Sequence, residues 1–438
     1  MRAPRALSTV LVVLVAGAVS CKDDPTATVA ITVGPELDAF SRTPAPTTLI
    51  VENVALDGTV TELSRTALPA GTIGLGDKGR TEVGGFRLSA TDATGKVLLK
   101  GESLFVQFGA LQEAALEIFM QRTGETARLP NAPVALDTPH VGLAVARYVL
   151  ATSGTSSFLY DLLLLKPAPS LGVLPRTAKS LGAFGTAALI IDDVGASTFD
   201  LSTGQSSNLA APSGGTFAEI AGGASTEALD GGVSVVGGTR PTGSGGPTTR
   251  VFRIAADGSV AFAALATARE GACAAWVDGR GLFVYGGAGA DSAAELLATG
   301  AAVGTKLPFP ADPVKGCGAT ALDGSHVLVV GGVGSPADVG GAAQARVIDL
   351  ACTTDCKPVP WTGTLPLVRA EAIALAPDVA LVLGDDASGA SRLFRATAAG
   401  PKEITLKVAR RGARMQALPV KNTVAILGGA PEIEQYTE

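Results

Sequence analysis

Short apolar runs, each closed by glycine, recur along the second half of the chain. Val233–Val236 runs into Gly237-Gly238, Leu282–Tyr285 into Gly286-Gly287, and Val327–Val330 into Gly331-Gly332. Ala380–Leu383 meets Gly384-Asp385, and Val424–Leu427 meets Gly428-Gly429. Successive first glycines lie 49, 45, 53 and 44 residues apart. Apolar runs this short, bounded by turn signals, read as buried strands. A period near 48 residues predicts one four-stranded propeller blade per repeat. Two more runs extend the series backwards without the glycine pair: Ala187–Ile191 before Asp192, and Tyr148–Leu150 before Ala151. The expected count is seven blades.

The rest of the unit is also periodic. Asp230-Gly231, Asp278-Gly279 and Asp323-Gly324 precede three of the runs. Asp-Gly suits a two-residue hairpin turn that needs positive φ at both positions. Third strands are expected at 249–255, 346–350 and 391–396, and arginines recur at repeat boundaries: Arg269, Arg369 and Arg410. The last repeat ends after its third strand. Because a ring must close to remove its open edge, residues 123–131 are expected to return as the missing fourth strand. Upstream, residues 29–122 alternate β-prone stretches with turn signals such as Asp57-Gly58 and Thr94-Gly95. Strands are expected at 29–33, 48–54, 86–91, 96–100, 104–108 and 111–122, a small β-sandwich of immunoglobulin-like size.

The apolar-Gly-Gly units and their spacing resemble the kelch-repeat family of β-propellers, over residues 123–438. The usual fourth-strand tryptophan is mostly missing, and only Trp361 sits near that place. The resemblance implies an all-β chain: a seven-bladed kelch-like propeller behind an immunoglobulin-like sandwich. It also implies basic residues near a central pocket that receives acidic partners. Arg269, Arg369, Arg410 and Lys315 are the candidates for such a ring. A structural role for them, satisfying loop carbonyls, is an equal expectation.

Composition changes the picture at the N-terminus. Mean hydropathy is +0.35, yet no apolar run approaches the ~20 residues of a spanning helix. Arg2 and Arg5, an apolar stretch from Ala6 to Ala16, then Ala18-Val19-Ser20-Cys21 read as a secretory signal over 1–20. A cysteine directly after small residues resembles a bacterial lipobox. That resemblance implies cleavage before Cys21 and its acylation, with 21–28 as a lipid-anchored tether. The expected address is the bacterial envelope, periplasmic side or cell surface. Lys+Arg 34 against Asp+Glu 40 gives −6, and loss of Arg2 and Arg5 takes it to −8. An acidic chain without a basic block argues against nucleic acid as a partner.

Four further cysteines remain, an even number in an exported chain. Cys352 and Cys356 flank a Thr-Thr-Asp turn and suit a local disulfide. Cys273 and Cys317 fall on the first strands of consecutive repeats with opposite parity, so a bridge across one seam and two buried thiols both remain open. No catalytic motif or cofactor fingerprint occurs. The histidines are His140 and His326 and the tyrosines Tyr148, Tyr160, Tyr285 and Tyr436; they show no ligand pattern, so no metal or cofactor is expected. Asp192-Asp193 and Asp385-Asp386 share a repeat position and are read as solvated loop carboxylates. The loops 239–249 and 333–345 should project from one face. The leading expectation is a non-enzymatic binding or scaffold module held on the membrane through lipid on Cys21. Its partner would be an envelope protein or a glycan. A polysaccharide hydrolase or lyase and a purely structural envelope protein are the alternatives.

Overall fold

The computed structural model describes residues 28–69, 81–111, 115–133, 141–169, 171–228, 231–237, 247–287, 291–334 and 343–438. Two short 3-10 turns, Phe108–Leu111 and Phe217–Glu219, are the helical pieces among them; the rest of the regular structure is β.

Among the described residues, seven four-stranded antiparallel sheets follow one another. Their first strands are Val141–Val145, Ser180–Phe184, Ala224–Glu227, Cys273–Val277, Gly318–Ala321, Arg369–Ala376 and Arg414–Ala417. Each first strand packs beside the first strand of the next sheet, and the seventh packs beside the first. The sheets therefore form a closed ring, the architecture of a β-propeller. The seventh sheet takes Arg414–Ala417, Thr423–Leu427 and Glu432–Thr437 from the C-terminus. Its fourth strand is Thr126–Pro133, with Gln435 opposite Ala127 and Tyr436 opposite Thr126.

The glycine-closed runs are the second strands: Val233–Val236, Gly281–Tyr285, His326–Val330, Val379–Asp385 and Thr423–Leu427. They are buried on both faces because neighbouring sheets cover both. The glycine pair marks where backbones of adjacent sheets meet. At Gly287 (φ +66°) a Cβ would sit 2.6 Å from the Glu270 carbonyl, and at Gly286 (φ +71°) it would fall on that of Val314. Positive φ and backbone contact together exclude any side chain. Gly238 and Asp230 lie outside the described residues.

The N-terminal unit has two sheets. One follows the path Val60–Ala67, Thr48–Ala55, Val83–Thr91, Val97–Glu102 and Gln121–Arg122, with Val106–Gln107 beside Val83–Thr91. The other pairs Thr28–Thr32 with Ala115–Phe119 in parallel. Val29, Ile31, Leu116 and Ile118 of the small sheet share one core with Leu49, Val51, Phe86, Leu88 and Leu99 of the large one. The hydrophobic pattern misplaced three pieces here. Val60–Ala67 was not expected as a strand: it is an edge strand with mostly exposed residues, so no apolar alternation marks it. The expected strand at 104–108 is a two-residue strand leading into the 3-10 turn. The expected strand at 111–122 breaks at Met120, whose N–H bonds Thr32 instead.

Candidate functional site

The seven first strands surround a cavity of about 620 Å³. Its wall is mostly small: glycine, alanine, serine and threonine alternate along the inner edges. Inner edge strands have no further strand to pair with, so their N–H groups need other acceptors. Side chains from the neighbouring sheet supply them. Thr226 Oγ1 accepts the Trp276 N–H at 3.2 Å, and Thr320 Oγ1 accepts that of Ala374 at 3.0 Å. Glu371 accepts the Met415 N–H at 2.7 Å, and Glu227 accepts that of Ala183 at 3.2 Å.

Among the described lining residues, Trp276 is the single aromatic and Glu227 and Glu371 the carboxylates. Glu371 is held by Arg414 at 2.5 Å and Arg369 at 3.1 Å. Glu227 lines the cavity and is exposed to it. Desolvation pushes its pKa above the ordinary value, opposed by the Ala183 N–H. The two carboxylates belong to different sheets, third and sixth. The arrangement can hold a small polar molecule or ordered water.

The expected basic ring divides in two. Arg269 and Arg410 are wholly internal. Arg269 donates to Glu295 at 2.8 and 3.1 Å and to the carbonyls of Gly286, Ala293 and Ser292. Glu295 also accepts the N–H groups of Ala266 and Thr267. Arg410 repeats the pattern: Glu434 at 3.1 Å, then the carbonyls of Gly428 and Glu432. Glu434 accepts the N–H groups of Lys407 and Val408. Burial lowers both guanidinium pKa values and the carboxylate partners work against it. These two arginines are struts that tie a sheet's third strand and glycine turn to the segment entering it. Both guanidinium groups are buried, and neither is among the residues of the cavity wall.

Arg369 lines the central cavity, whereas Lys315 lies outside its wall. Arg369 is half-buried and joins Asp385 at 2.7 Å, Glu371 and the Ala413 carbonyl. Lys315 is exposed and pairs with Glu270 at 2.8 Å. Asp192 meets Arg176 at 3.3 Å and Asp193 pairs with Lys179. His326 sits in a hairpin, its Nδ1 2.9 Å from Asp323. Cys273 and Cys317 form a disulfide with Cα atoms 5.4 Å apart, joining the first strands of the fourth and fifth sheets. Cys352 and Cys356 form the second, with Cα atoms 5.9 Å apart. Cys21, His140 and most of both long loops lie outside the described residues.

One site position escaped the sequence reading. In every sheet one third-strand residue lies opposite the penultimate residue of the apolar run: Val284 faces Glu295, Ile426 faces Glu434 and Val329 faces Arg346. In the fifth sheet the charges are exchanged, with Arg346 on the strand and Asp312 in the entering segment at 2.9 Å. The available signal was a charged residue interrupting an apolar third strand, as in Ala294-Glu295-Leu296.

No family model matches the chain, and no curated protein matches it in sequence. Solved structures do align with it. The Pan2 WD40 domain of Neurospora crassa is 8% identical, covers 73% of this chain and 99% of its own, with a TM-score of 0.46. A chain of a mitotic checkpoint complex is 10% identical, with 72% and 91% covered and a TM-score of 0.47.

Proposed function

We propose that the chain is an exported, lipid-anchored bacterial envelope protein whose seven-bladed, kelch-class propeller is a binding or scaffold module, not an enzyme. Its two-sheet N-terminal unit serves as an immunoglobulin-like spacer between the anchor on Cys21 and the propeller. The observation that carries the reading is the closure of charge inside the ring. Arg269, Arg410 and Glu371 are engaged by protein groups, and small residues dominate the cavity wall. What remains for recognition is the loops on the faces of the ring, where function commonly sits.

The lipobox-like segment supports acylation at Cys21 and the envelope address. Two acyl chains hold a protein on a bilayer, each buried CH₂ adding about 0.8 kcal/mol. The partner fitting this surface is an envelope protein or a glycan, with proteins favoured because Trp276 is the one stacking surface in the cavity wall among the described residues. The test is affinity capture from envelope extracts with the full chain expressed behind its own leader. One reproducible partner, lost when the loops 239–249 and 333–345 are shortened, supports the reading. Turnover of a polysaccharide by the same preparation contradicts it.

A further inference from the structure

We infer that the central cavity binds a small organic cation, a primary or methylated ammonium, at the end where the first strands turn into the second. Trp276 supplies a ring face there and Glu227 a carboxylate. The registers set both residues at one level. Trp276 lies opposite Leu282 and Glu227 opposite Val233. Each stands two places before the second-strand residue that faces Glu295 or Phe252. By the same count the other five sheets place alanine at this level: Ala144, Ala183, Ala321, Ala374 and Ala417. Two large side chains therefore stand in adjacent sheets, and the rest of the level is small. The Trp276 N–H donates to Thr226 Oγ1 at 3.2 Å, which fixes these two first strands side by side.

Both groups keep unused capacity. Glu227 accepts the Ala183 N–H through Oε1, and among the described residues no arginine or lysine pairs with it. Glu371, the other carboxylate of the wall, is met by Arg414 and Arg369. Trp276 is half-buried: it packs on the core that holds Val236 and Leu282, and it also lines the cavity. Guanidinium groups lie over the rings of Tyr148, Tyr285 and Phe394 at 5.0 to 5.6 Å. Among the described residues none lies over Trp276, although indole is the ring that attracts cations most. The cationic side chains of the wall stand at the other end. Lys179 precedes the strand Ser180–Phe184, and Arg369 and Arg414 open theirs. Arg414 is three residues before Ala417, about 10 Å at ~3.3 Å per residue. The Glu227 end therefore attracts positive charge. One carboxylate and a ring face supply too few oxygens for a metal ion, whereas a weakly hydrated ammonium uses both. A cavity of about 620 Å³ has the size of a small-molecule site.

The test uses the full chain carrying Trp361→Phe, which leaves Trp276 as its one tryptophan. Choline and its uncharged isostere 3,3-dimethylbutan-1-ol are titrated at constant ionic strength, and the Trp276 emission is read. We expect a saturable change with choline and binding of the alcohol weaker by about tenfold or more. Glu227→Gln, which keeps an oxygen for the Ala183 N–H, should weaken choline by about fivefold. Trp276→Leu in the otherwise native chain, followed by calorimetry, should weaken it by about as much. No saturable response to choline, or equal affinity for the alcohol, overturns the inference. So does choline affinity unchanged by Glu227→Gln, which would make the site an apolar pocket. A thermal melt reports whether each variant is folded. If Glu227→Gln is not, the two probes on the Trp361→Phe chain decide alone.

Discussion

The fourth and seventh sheets of the ring differ from the third and sixth at one equivalent position. The fourth and seventh carry Glu295 and Glu434, each buried against an arginine. The third and sixth carry Phe252 and Phe394, opposite Val235 and Val382. Phe252 packs edge-on against Phe217 and Phe262, with centroids 5.2 and 5.8 Å away. One backbone position is thus filled either by a fully bonded ion pair or by an aromatic cluster. The aromatic version stabilises by burying area. The ionic version stabilises less in net terms, because desolvating two charges offsets much of their attraction. It does something the ring cannot: it satisfies backbone groups of the entering segment and the glycine turn at once. Charge at a repeat boundary is therefore weak evidence for a ligand site.

The comparison makes graded predictions. Glu295→Ala leaves Arg269 buried and unpaired and should cost about 3–5 kcal/mol in denaturant unfolding. Phe252→Leu, in the aromatic version, removes two edge-on ring contacts but leaves no buried charge unpaired, and should cost about 1–3 kcal/mol, less than Glu295→Ala. A similar cost for both would remove the distinction. Breaking the Cys273–Cys317 bridge, which closes 44 residues, should cost about 4 kcal/mol on chain-entropy grounds. Breaking Cys352–Cys356, which closes 4, should cost about 2 kcal/mol. Unfolding midpoints of the paired serine variants give both values, and the order must hold.

The smallest effect concerns the cavity. Burial raises the Glu227 pKa above its ordinary value. The folded protein then holds that proton more tightly than the unfolded chain. Its contribution is fully present below the ordinary carboxylate pKa and is lost as pH rises through the raised value. Glu227→Gln should match the parent at low pH and exceed it in stability near neutrality. Equal stability at both pH values would place Glu227 in bulk-like water.

Much of the ring was legible because its second strands are buried on both faces and so read as unbroken apolar runs. The strand Gly281–Tyr285 differs from its expected start by a single residue. The fourth strands were harder to read: Lys166–Pro167 and Thr305–Lys306 are two residues long and exposed. The edge strand Val60–Ala67 escaped for the same reason. At the candidate site, the recurrence of Arg269 and Arg410 was visible but their fate was not. Sequence gives an arginine's spacing, whereas burial depends on which carboxylate the third strand presents 24 to 26 residues later. Glu371 and Glu227 were invisible as cavity residues, because carboxylates are too common to single out without the ring.

The central claim is that boundary arginines are internal struts. A double-mutant cycle on Arg410→Met and Glu434→Met, read by denaturant unfolding of the full chain, tests it most directly. The account predicts a coupling of about 2 kcal/mol, with the double variant more stable than the sum of the single costs implies. Additive costs, agreeing within about 0.5 kcal/mol, would contradict it and return Arg410 to the list of residues free to bind a partner.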